Sequence, residues 1–325
     1  VMSLVMDGKQ VRGITAYDIN TGEVIGIQSK AVILATSGHQ GVWSSSSNGS
    51  GLGSALIASA GIKLTGMESN PTHPLTVRGT DLNISLDVLG SGGRVRKSSG
   101  EDVDPSEVGD DDCVLDLRGL EPDAKVWFSN TRTRIKDRTG LDISRDVVPI
   151  TKSIATTTGG APVDEHGRVT FQKGKKWATG IYAAGRSSNN GMHGDGILAG
   201  NLILDDLVGG SNAGMHAGEW VKDATFGGSN LVEKAISKSI KTIDSLKKAN
   251  GVSVGQTSAT LSSVMSSSTN GSRDESSLKA AVNAISEIKK TGIKVTDQST
   301  VMNTEICSAL RLQGMIILAE QIAKS

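Results

Sequence analysis

An α/β fold organised on a parallel sheet is predicted by three stretches of the sequence. Residues 181–184 are a short apolar run ending on Gly185, the pattern of a strand buried on both faces. Residues 31–35 are a second such run, closed by the turn Thr36, Ser37, Gly38. Within residues 179–214 a strand, a glycine-rich crossing (Gly191, Gly194, Gly196, Gly200) and a segment of helical spacing follow one another. Glycines let backbone come close to a flat ligand, ligands in open α/β sheets sit past the carboxyl ends of the strands, and a helix N-terminus there stabilises negative charge. This is the layout of a dinucleotide-type site. Leu202, Ile203, Leu207 and Val208 share one helix face, expected to be the packed one, with Asp205 and Asp206 on the other.

The chain has 325 residues, enough for two or three domains. Its net charge is zero and no basic block appears, which points away from nucleic acid. No apolar run reads as a transmembrane helix. Cys113 and Cys307 lie far apart in sequence and form no metal-binding pattern, so a reduced pair in a cytoplasmic protein is expected, with no metal site. Aromatic residues are 3% while glycines number 40, and serine runs at 44–47 and 266–268 show no periodicity, a composition more usual in linkers, yet here it interrupts otherwise orderly elements.

Taken in order, residues 1–27 are β-rich with hairpin signals at Asp7-Gly8 and at Asn20, Thr21, Gly22. A helix is expected over 52–64, with Gly61 near its end. From about Val221 the chain is helical. Ile236, Ile240, Ile243 and Leu246 share a face, with Gly251 as the stop; Leu278, Ala281, Val282, Ile285 and Ile288 share another, closed by Gly292. Ser299 is placed to cap a third helix carrying Met302, Ile306, Leu310 and Ile317.

The motifs carry a resemblance. The text from Gly180 to Gly185, then His193-Gly194, then Gly200-Asn201 is similar to the GLYAAGE…HGANRLxxNSLL end of the succinate dehydrogenase, fumarate reductase and L-aspartate oxidase flavoproteins. Residues 31–38 resemble that family's AVVLATGG strand, with Ser37 in place of a glycine. Ser50, Gly51 and Gly53 resemble TGDG, with Leu52 for the aspartate. Met67-Glu68 and Thr72-His73-Pro74 resemble ME-xx-QFHPT, and residues 114–118 resemble LDLRHL. The last third is more similar to the succinate dehydrogenases and fumarate reductases than to L-aspartate oxidase.

The resemblance implies an FAD-binding Rossmann-like domain (residues 1–70 and 156–220), an inserted α+β capping domain (71–155) and a C-terminal helical bundle (221–325). It implies FAD lined by Ala35, Thr36, Ser37, Gly38, Gly185, Arg186, His193, Gly194, Asn201 and Leu202. It places His73 on the carboxylate of a small dicarboxylate substrate. It also implies an iron–sulfur partner subunit and a cytoplasmic chain tied to the membrane through partners. The alternatives are an L-aspartate oxidase-like enzyme and a catalytically degenerate homologue acting as a binding subunit. Four positions depart from the pattern: Leu86, Leu89, Ala155 and Ile197 stand where the family carries glutamate, arginine, histidine and arginine, and Arg186 replaces its glutamate. The segment bearing the family's proton-delivering arginine has no counterpart. No GxGxxG occurs, so position 1 reads as the middle of a domain whose earlier part lies outside this sequence or on another chain.

Overall fold

The computed structural model describes residues 1–43, 49–109, 112–194, 196–198, 200–269 and 273–325. The chain forms two compact units, Val1–Asn70 together with Thr156–Ser325, and Pro71–Ala155.

The first unit opens with an antiparallel meander of β1 (Ser3–Asp7), β2 (Gln10–Asp18) and β3 (Glu23–Gln28). The turns fall where Asp7-Gly8 and Asn20 to Gly22 predict them, and Gly8 and Gly22 both take positive φ, which glycine adopts without a Cβ penalty. Next come β4 (Val32–Leu34) and α1 (Leu52–Ser59), which starts at the expected residue and stops a turn early. The serine run at 44–47 lies outside the described residues.

The second unit holds β5 (Thr72–Val77), a short α2 (Asp87–Gly90), β6 (Arg94–Lys97), β7 (Cys113–Asp116), α3 (Pro122–Trp127), α4 (Ser129–Thr139) and β8 (Val148–Ile154). Its four strands form one antiparallel sheet in the order β5-β8-β7-β6. The core gathers Leu75, Val77, Leu115, Ile135, Val148 and Ile150, each 1% exposed or less. In the LDLR stretch Asp116 accepts from Arg118 Nε (2.9 Å) and Nη2 (2.8 Å) and from Arg96 Nη1 (3.0 Å). The Arg118 hydrogen bond is the main cause holding its carboxyl down at about 2, so the motif ties β7 to β6.

The chain then returns to the first unit with β9 (Ala161–Pro162), β10 (Arg168–Phe171), β11 (Lys176–Ala183), β12 (Ser188–Asn189), α5 (Asn201–Asp223), α6 (Ser229–Lys248), β13 (Val252–Ser253), α7 (Val254–Thr269), α8 (Glu275–Thr291), β14 (Ile293–Lys294) and α9 (Thr304–Ala323). The main sheet here is β10-β11-β4, with β4 parallel and β10 antiparallel to β11. Ile181, Tyr182, Ala183 and Ala184 are all at most 4% exposed, as a strand covered on both faces should be. The expected full burial of β4 does not hold: it is the edge strand among the described residues, and Ile33 is 42% exposed.

Four helical expectations need correction. On α5 the apolar face is not the packed one, since Ile203 is 66% and Leu207 67% exposed. Small Ala213 and Ala217 bring the helix onto the Tyr182 cluster, and the two aspartates turn inward to polar partners. The third tail helix is capped by Asn303, not Ser299. Asn303 Oδ1 accepts from Ile306 N–H (2.9 Å), while its Nδ2 donates to Asp297 O and Ser299 O. Met302 lies outside that helix at φ +54 and 61% exposed. Ser266, Ser267 and Ser268 lie within α7. The boundary proposed at 220/221 falls inside α5, which runs on to Asp223.

One helix among the described residues, α9, has the length and mean hydropathy (1.3) of a membrane span, which the sequence reading did not single out. It is a packed helix of this unit, with Ile306, Ala309, Leu312, Leu318 and Ile322 buried and α1, α7 and α8 against it.

Candidate functional site

The parallel pairing of β4 and β11 sets Val32 beside Ile181, Ile33 beside Tyr182 and Leu34 beside Ala183. The turns that follow therefore leave the sheet at the same carboxyl edge. Ser187 fastens one turn to the other. Its Oγ donates to Thr36 O (2.9 Å), accepts from the Thr36 N–H (2.8 Å) and lies 2.9 Å from Thr36 Oγ1. Thr36 Oγ1 in turn accepts from the Gly53 N–H of α1 at 2.9 Å, and Gly38 O accepts from the Gly51 N–H at 3.0 Å. Ala35 and Ser37 alternate with these residues and are exposed.

Around Gly38 there is no room for a side chain: a Cβ there would collide with Thr157 Oγ1 and stand 2.9 Å from Gln40 Oε1. The next residue, His39, is 0% exposed. Its backbone N–H donates to Thr157 Oγ1 (3.0 Å), yet neither ring nitrogen has a partner, and Gln40 Oε1 and Thr156 Oγ1 are buried and unpartnered as well. Burial pushes the His39 imidazole down to about 4, so the ring is neutral at neutral pH. Each buried polar group without a partner costs about 1–3 kcal/mol. Three of them are enclosed at or next to the segment that carries Gly38 and its neighbour Thr157.

The second turn connects to α5 by its own polar contacts. Gly185 sits at φ +55, with Asp206 Oδ1 where a Cβ would be. Arg186 Nη2 donates to Asp206 Oδ2 (3.4 Å). Asn190 Nδ2 donates to Asp205 Oδ1 (2.9 Å), and His193 Nε2, buried, lies 3.7 Å from Asp205 Oδ2. A cavity of about 610 Å³ opens there, with Asp164, Asn190, His193, Asn201, Asp205 and Asn212 in its lining. Gly194 is exposed on its approach, while Asn201 and Leu202 are half-buried in the first turn of α5. The Leu202 N–H makes no backbone hydrogen bond among the described residues. It is an open donor at the positive end of a 23-residue helix.

The structure thus brings Thr36 and Gly38 together with the Gly185 turn, and that turn together with α5. His73 belongs to the other unit, on β5. Its Nδ1 accepts from the Leu75 N–H (3.4 Å). Burial lowers its pKa, and a hydrogen bond to the Ile84 backbone opposes that shift. Of the four departures, Leu86 is 50% exposed and Leu89 packs against the core of the second unit.

Sequence reasoning did not single out His39, Thr156, Thr157 and Ser187, and it put Asp205 on the face of α5 away from the packing. The run of three threonines before Gly159-Gly160 was a usable signal, because hydroxyls next to paired glycines mark backbone that approaches something closely. The buried imidazole had no signal, since a histidine after a turn looks the same whether exposed or enclosed.

Comparison with known proteins agrees with this geometry. Residues 1–203 match the FAD binding domain family, and residues 258–325 match the fumarate reductase flavoprotein C-terminal family. The succinate dehydrogenase flavoprotein subunit of Rickettsia conorii is 25% identical over 353 residues, covering 97% of this chain and 59% of the relative. The fumarate reductase flavoprotein subunit of Haemophilus influenzae is 21% identical over 373 residues, covering 100% of this chain and 61% of the relative. The chain therefore spans about three fifths of the length of these relatives. Among solved structures, the FrdA chain of E. coli quinol fumarate reductase superposes with a TM-score of 0.86 at 21% identity, over 100% of this chain and 62% of that one. Strand-end turns clasped at one sheet edge, unpartnered polar groups enclosed beside them and a family match over residues 1–203 lead to one conclusion: the chain belongs to the succinate dehydrogenase and fumarate reductase family of FAD-binding flavoproteins.

Proposed function

We propose that the chain is the flavoprotein of an oxidoreductase acting on small dicarboxylates, of the succinate dehydrogenase or fumarate reductase type. It passes electrons to an iron–sulfur subunit and is held at a membrane through its partners. The observation that supports this best is the Thr36–Ser187 clasp with its enclosed, unpartnered polar groups. FAD, when bound, supplies the hydride chemistry. The chain's own residues bind and orient: Thr36, Gly38 and Gly185 shape the turns, His39 and Thr156 offer ring-nitrogen and hydroxyl partners, and the α5 N-terminus with its free Leu202 N–H favours negative charge. Arg186 is neutralised by Asp206, which accounts for a cation where the family has a carboxylate.

In this reading His73 takes a substrate carboxylate, exchanging its Ile84 contact for a charge-assisted bond. His73→Ala is then expected to weaken succinate or fumarate binding roughly ten- to a hundred-fold, with flavin content unchanged. Titration of wild type and variant followed by the flavin spectrum measures this. Equal affinities would withdraw His73 from the site.

A second reading, an FAD-binding homologue without dicarboxylate chemistry, is favoured by Leu86, Leu89, Ala155 and Ile197. A dicarboxylate needs cationic clamps, and four aliphatic side chains supply none. Absence of any succinate- or fumarate-dependent spectral change in a flavin-replete protein would select it.

A further inference from the structure

Helix α6 carries a stripe of lysines that the flavin chemistry does not use. Lys234, Lys238, Lys241, Ser245 and Lys248 recur at the three- and four-residue spacing that puts side chains on one helix face. All five are exposed. None of the four lysines makes an ion pair among the described residues. Two adjacent cavities, about 390 and about 530 Å³, open along this face, and Lys238 and Lys241 line both. The smaller has an apolar floor of Leu246, Ala249 and Ile293. The hydroxyls of Ser237, Thr242 and Ser245 are committed to their own helix carbonyls, and the ammonium groups share the groove lining with the polar side chains of Asn230, Glu233 and Gln313.

We propose that this groove docks an acidic peptide segment of a partner protein. From Lys234 to Lys248 the stripe spans about 21 Å at the helical rise, the length of a short segment rather than of a small ion. Lysine is a hydrated point charge on a flexible stem, suited to a row of carboxylates. A chain with 34 basic and 34 acidic residues has no broad positive field for nucleic acid. Glu233 lines the larger cavity beside Lys234 and Lys238, and with Asp244 on the same helix it sets the register by repelling carboxylates that do not meet a lysine.

The test uses fluorescein-labelled oligoglutamate and fluorescence anisotropy on the whole protein. Expected is saturable binding that weakens sharply between low salt and about 300 mM salt. The double variant Lys238→Glu with Lys241→Glu should bind about tenfold more weakly or worse, with unchanged circular dichroism and flavin content. Lys238→Arg with Lys241→Arg should retain binding. Lys63→Glu with Lys175→Glu, the same charge change on exposed lysines outside the groove, should leave it nearly unchanged. Absence of saturable binding, an equal loss in the Lys63 and Lys175 control, or tighter binding to duplex DNA or to anionic vesicles than to the peptide would overturn the proposal.

Discussion

Between pH 6.5 and pH 4 the flavin-free protein is expected to lose about 3 kcal/mol of stability through His39 alone. The ring is fully buried, has no hydrogen-bond partner and is pushed down to about 4 by burial, whereas in the unfolded chain it titrates at its ordinary 6.5. The unfolded state therefore binds the extra proton first. The contribution is complete above pH 6.5, falls as the pH drops through the window and is lost once the folded ring also protonates. His73 and His216 are lowered as well, by burial first, and add to the slope in the same direction. Asp116, held at about 2 by Arg118, loses its contribution only below the ordinary carboxylate range and so does not share this window. Urea unfolding at a series of pH values measures the slope, and His39→Leu should flatten most of it. A variant with the wild-type pH profile would mean that the imidazole is hydrated or paired.

Replacing Gly185 by alanine is expected to destabilise the first unit by about 2–5 kcal/mol. A non-glycine residue in the left-handed region costs about 1–2 kcal/mol, and forcing a methyl into a filled space about 1–3 more. The atom in the way is Asp206 Oδ1, so relief comes only by moving the carboxylate that holds Arg186. The turn and the start of α5 should then part, and flavin content should fall along with stability. Denaturant midpoints and bound flavin per chain, measured on the same preparation, test both parts. An alanine variant with wild-type values for both would show that the turn relaxes freely.

What could be read from the sequence depended on whether local pattern or packing decided the outcome. Hairpins with Asp7-Gly8 and Asn20 to Gly22 were legible because a positive-φ glycine is a local requirement. The Ile181 strand was legible because burial on both faces leaves an unbroken apolar run. The orientation of α5 was not, because its aspartates bind Arg186 and Asn190 inward and override the apolar stripe. The start of α9 was misread because Asn303 and Ser299 are both good caps, and only the Asn303 bonds to Asp297 and Ser299 decide between them. In the site, Thr36, Gly38 and Gly185 were legible from strand ends. The clasp by Ser187 and the enclosure of His39 arise from residues more than a hundred positions apart in sequence, and no window of sequence contains them.

The central claim is that FAD binds at the clasped turns, and the flavin absorbance spectrum of the purified protein, compared with that of Gly38→Val, tests it most directly. A valine Cβ at position 38 would meet Thr157 Oγ1 and Gln40 Oε1, forcing apart the turn that Ser187 clasps to Gly185. The account predicts a flavin spectrum with about one FAD per chain in the wild type and little or none in the variant, at comparable secondary structure. A wild-type protein that carries no flavin and takes up none from solution, or a Gly38→Val protein that keeps its full complement, would contradict it.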